Sequence, residues 1–179
     1  VKNIQDQSNG ILFTEYHQAI PCSASDLMIA IGANLKGYSI PNTPISLFFP
    51  SGKESLVSLM EEVIVKCFEF NKWFLNFSFP FKSLKIIFIK DYYISGEPAT
   101  ISSNTITFST ALLYQANIVE QQFLTKALVS FMFARLFFGS FVFPKTFNDN
   151  WLILGIAHYI SRNFQRLLFG NNDYKLQLV

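Results

Sequence analysis

The stretch from Ala127 to Phe143, ALVSFMFARLFFGSFVF, is apolar apart from Ser130, Ser140 and one charge near its centre, Arg135. A bilayer-spanning helix needs about 20 mostly apolar residues. A central arginine adds an insertion cost of about 2.5 to 3.5 kcal/mol, and Gly139 and Pro144 end the helical pattern early. The segment is too short and too charged for lipid, so protein must bury it. The rest of the chain points the same way. Charged residues make up 15% of the 179 and 21 are Phe, against roughly 25% charge in an ordinary soluble domain. A surface so poor in charge is expected to be covered by further polypeptide or by partner subunits. The length suits one domain, or the end of one followed by part of another.

No signal peptide is expected, because Val1 to Gly10 is polar and lacks an apolar run. The net charge is +2 with basic residues dispersed, Lys82, Lys85 and Lys90 being the densest group. That is no electrostatic footprint of a nucleic-acid binder. Cys22 and Cys67 have neither C-x-x-C spacing nor a neighbouring His, and read as free buried thiols of a reducing compartment.

Residues 1–50 carry short apolar runs broken by Pro21, Gly32, Gly37, Pro41, Pro44 and Pro50, the punctuation of strands and turns. They read as the C-terminal edge of a β-rich domain whose other strands lie upstream. At Ser51 the pattern changes. Ser51-Gly52-Lys53-Glu54 has the spacing of a capping box. Leu56, Leu59, Met60, Val63, Cys67, Phe70 and Phe74 then recur on one helical face. Leu84 to Ile89 is a β-branched run suited to a buried strand, Ser95 to Pro98 a turn, and Thr105 to Phe108 a further strand. A second helix is expected from about Ile118 to Phe138, ending at Gly139. A third is expected from about Asn150 to Leu168, with Asn148 or Asp149 as its cap. Trp151, Leu154, Gly155, His158 and Arg162 share one face of that third helix.

These residues carry a resemblance. Phe138-Gly139, Pro144-Lys145, Asn148-Asp149, Trp151-Leu152, Gly155, Ala157 and Tyr159 run in gapless register with the zinc-binding region of the gluzincin aminopeptidases, H-E-x-x-H-Q-W-F-G-N-x-V-T-P-K-W-W-N-D-L-W-L-N-E-G-F-A-x-Y. Upstream, Ser51 to Ile89 is similar to the family's segment joining its β domain to its catalytic domain. ITFSTALL, Ile106 to Leu113, is similar to the strand after its substrate-binding motif. The resemblance covers most of residues 20–170. It implies an α+β fold: residues 1–50 as the end of the N-terminal β-rich domain, and 51–179 as a thermolysin-like domain with long helices, truncated on its C-terminal side.

The same register implies that the chemistry is gone. The first zinc His falls on Phe131, the general-base Glu on Met132, the second His on Arg135 and the third ligand on Leu154. Zinc takes N, O or S donors, and Phe and Leu offer none. Arg stays protonated and repels a dication. Met132 cannot accept a proton from a metal-bound water. Residues 96–104 lack the family's amine-anchoring arrangement, since Glu97 directly follows Gly96.

The residues retained from the family are therefore structural ones: Phe138, Gly139, Pro144, Lys145, Asn148, Asp149, Trp151, Gly155 and Tyr159. Phe131, Phe133, Phe137, Phe138, Phe141 and Phe143 are read as core, and His158 as a hydrogen-bonded helix residue. Arg135 either snorkels to water or, the preferred reading, fills the vacated metal position and pairs with a carboxylate such as Glu97 or Asp149.

An emptied domain of this kind is similar to the TBP-associated-factor branch of the family, subunits of the general transcription factor TFIID. That likeness implies a nuclear, non-catalytic scaffold that supports complex assembly and core-promoter engagement. Its partners would be other TFIID subunits, with promoter DNA touched mainly through the rest of the complex. No zinc, no other cofactor and no membrane are expected. The alternatives are a divergent zinc aminopeptidase that moved its site, and a pseudo-peptidase scaffold outside transcription.

Overall fold

The computed structural model describes residues 2–6, 11–15, 20–94 and 96–176. The turn expected at Ser95 to Pro98 falls partly outside them, because Ser95 is not described; Gly96 follows with φ +78°. At the N-terminal end, β1 (Lys2–Asp6) and β2 (Ile11–Glu15) form an antiparallel pair.

The main body is an α+β arrangement around a five-stranded mixed sheet. Its strands are β3 (Leu35–Ser39), β4 (Ile45–Pro50), β5 (Leu84–Ile89), β6 (Ala99–Ser102) and β7 (Thr105–Ser109), in the order β3-β4-β5-β7-β6. The central three are parallel, with Leu47 beside Ile86 and Ile86 beside Ile106. Both edge strands are antiparallel to their neighbours. Parallel neighbours need a long crossover, and α1 (Glu54–Leu75) supplies the one between β4 and β5. The boundary expected at residue 50 falls inside this sheet: β4, which ends there, pairs with β5 across the crossover.

Alternation along the strands fixes which residues enter the core. Ile45, Leu47 and Phe49 of β4, Leu84, Ile86 and Phe88 of β5, and Ile106 and Phe108 of β7 are buried in one cluster with Met60, Ile64 and Cys67 of α1. Phe88 and Phe108 stack at 5.7 Å. Residues near Met28 cross the opposite face of the sheet. There the Thr107 hydroxyl donates to the Met28 sulfur at 3.3 Å, and the Ser103 amide donates to the Asp26 carbonyl.

The capping box expected at Ser51 does not form. Gly52 takes φ +86° in a turn, Lys53 is the N-cap without a side-chain bond, and Glu54 pairs with Lys36 at 2.6 Å. The competing charge on β3 is the physical reason. The apolar face of α1 is as expected at Met60, Val63, Cys67 and Phe70, whereas Leu59 and Phe74 remain 41% and 37% exposed. Cys67 is fully buried, which pushes its thiol pKa up; Cys22 is half-buried, and both are free.

Two further long helices complete the core, α2 (Val119–Phe137) and α3 (Asn150–Phe169), followed by the short α4 (Asn171–Leu176). Residues 138–149 join α2 to α3 and begin with a tight turn. It is closed by the Gly139 amide donating to the Val142 carbonyl and the Val142 amide donating to the Phe137 carbonyl. Among the described residues, no helix is long and apolar enough to cross a membrane.

Candidate functional site between the two long helices

Helices α2 and α3 run antiparallel: Phe123 touches Phe169, Ser130 meets Ser161, and Phe131 meets His158. A crevice along this seam is lined by Phe131, His158, Ser161, Arg162 and Gln165, and Arg135 is near enough for its charge to act on His158.

Each residue singled out in the sequence has a definite place. Phe131 is half-buried, and its ring lies on the imidazole of His158 with centroids 4.1 Å apart and planes 19° from parallel. Met132 is buried in the core, and Leu154 is half-buried. Arg135 sits with its guanidinium carbon 5.9 Å from the Phe131 ring centroid. Its Nε is buried without a hydrogen-bond partner. The carboxylate pairing expected for Arg135 does not occur: no acidic group lies within 4 Å of it among the described residues. The Asp149 carboxylate is instead engaged by Thr146, accepting from its hydroxyl at 2.7 Å and its amide at 3.3 Å.

Gly139 borders the same place. Its φ of +135° lies where a side chain is strained, and a Cβ there would stand 3.3 Å from the Arg135 carbonyl oxygen and 3.7 Å from its Nε. The aromatic reading holds for Phe133 and Phe137, which are buried, and less fully for Phe138, which is half-buried. It fails for Phe141 and Phe143, which are substantially exposed because the tight loop turns them away from the helix pair.

The remaining family-like residues mostly face outward. Trp151 is 72% exposed and Tyr159 59% exposed. Nothing lies within 4 Å of the point where Gly155 would carry a Cβ. Pro144 is half-buried, whereas Lys145, Asn148 and Asp149 are exposed in the loop. The core-facing side of α3 is made by Ile153, Ala157, Ile160 and Phe164.

A buried polar cluster beside the crevice went unread in the sequence. The Ser130 and Ser161 hydroxyls share a 2.6 Å hydrogen bond, and the Gln165 amide donates to Ser161 at 3.0 Å. Its signal was present: Ser161 and Gln165 stand four residues apart on the apolar face of α3. Above the cluster, the pKa of His158 is lowered by burial first and then by the charges of Arg162 and Arg135.

The donor set does not fit a metal ion. Phe131 and Leu154 have no lone pair, Arg135 is a cation, and His158 is a single imidazole committed to a ring stack. No group of three or more His, Cys, Asp or Glu among the described residues is placed to hold a metal. The crevice can stack aromatic rings and present positive charge, and it offers no general base where the resemblance would put one.

No family model matches the sequence. Curated relatives do. A chicken protein is 31% identical over 165 residues, or 89% of this chain, a Drosophila melanogaster protein 27% identical over 161 residues, also 89%, and a Caenorhabditis elegans protein 27% identical over 171 residues, or 95%. All three are transcription initiation factor TFIID subunit 2. The chain is similar to a segment of TFIID subunit 2. It spans 13% of the length of the chicken and fly proteins and 15% of the worm protein. Similarity reaches the fungi, where 101 residues match the Schizosaccharomyces pombe subunit at 30% identity.

Proposed function

We propose that this chain forms part of a non-catalytic scaffold subunit of TFIID, acting in assembly of the complex and in engagement of the core promoter during transcription initiation. The observation that carries this reading is the similarity to TFIID subunit 2 across nine-tenths of the chain, in animals as different as chicken and worm. The geometry of the crevice supports it. In the register with gluzincin peptidases, Phe131, Met132, Arg135 and Leu154 are vestigial zinc-site positions, and their side chains hold neither metal nor base. Residues 51–179 then belong to a pseudo-catalytic domain, and β3 and β4 before them share that domain's sheet.

Under this reading the protein is nuclear, takes no zinc or other cofactor, and has other TFIID subunits as its partners. Promoter DNA is contacted mainly by the rest of the complex, and any contact from this segment goes to phosphates through scattered Lys and Arg side chains. Affinity purification of the tagged full-length protein from nuclei, with partners identified by mass spectrometry, tests the proposal. TBP and its associated factors should be recovered in near-stoichiometric amounts, and their absence would remove the TFIID assignment.

A further inference from the structure

We draw no further inference here: the strongest candidate, the apolar groove between the C-terminal halves of α1 and α3 lined by Phe70, Trp73, Phe74 and Leu167, carries nothing because nothing in the structure shows what covers it.

Discussion

Phe131 of α2, where the peptidase resemblance puts the first zinc histidine, lies face to face with His158 of α3, 4.1 Å between ring centroids. Partial burial, and after it the charges of Arg162 and Arg135, lower the imidazole pKa and so favour the neutral ring.

A pH dependence follows. Protonating His158 costs more in the folded chain than in the unfolded one, since its folded pKa lies below the ordinary value of 6.5. Its contribution to stability is therefore complete above that value and is lost as pH falls through the folded pKa. Thermal unfolding followed between pH 7.5 and 5 should show a decline that His158→Phe flattens, because phenylalanine keeps the stack and removes the titration.

The Ser130–Ser161–Gln165 cluster predicts a coupled effect. Ser161→Ala leaves Ser130 and Gln165 short of a partner in a buried place, at a cost of about 1–3 kcal/mol. Adding Ser130→Ala should cost less than the sum of the single changes, since the two hydroxyls are bonded to each other. Hydrogen exchange of the α2 and α3 amides reads both.

Gly139 is the backbone's special point. With φ at +135° and the Arg135 carbonyl 3.3 Å from a would-be Cβ, Gly139→Ala should destabilise the α2–α3 loop by about 1–3 kcal/mol. Gly155→Ala, in an ordinary helical conformation with open space around it, should instead be neutral or stabilising. Thermal shifts of the two variants should therefore have opposite signs, or differ clearly in size.

At the sheet centre, Phe108 is fully buried and stacked on Phe88. Its replacement by alanine should cost about 3–5 kcal/mol, seen as a large loss of amide protection in β5 and β7.

Patterns strong enough to survive without tertiary information were legible in the sequence. The β-branched run Leu84–Ile89 is β5 as read, and the bounds of α2 and α3 fall within about a residue of the expected ones because Gly139 and Gly170 mark their ends. What failed depended on neighbours that the sequence does not show. Ser51 lost its capping role because Lys36 on β3 takes the Glu54 carboxylate. β6 went unread because four residues, Ala99–Ser102, become a strand only by pairing with β7. Arg135 was expected to find Glu97 or Asp149, but Thr146 already holds the latter. The crevice itself was legible as a set of positions and not as a set of contacts, since the Phe131–His158 stack needs the relative placement of two helices.

Central to the proposal is that α2 and α3 carry a zinc site with its ligands removed. Zinc content of the purified full-length protein, measured by mass spectrometry beside the triple variant Phe131→His, Arg135→His, Leu154→Glu, addresses it most directly. Negligible zinc is expected in the natural protein and close to one zinc per chain in the variant. One zinc per chain in the natural protein, or none in a folded variant supplied with the metal, would contradict it.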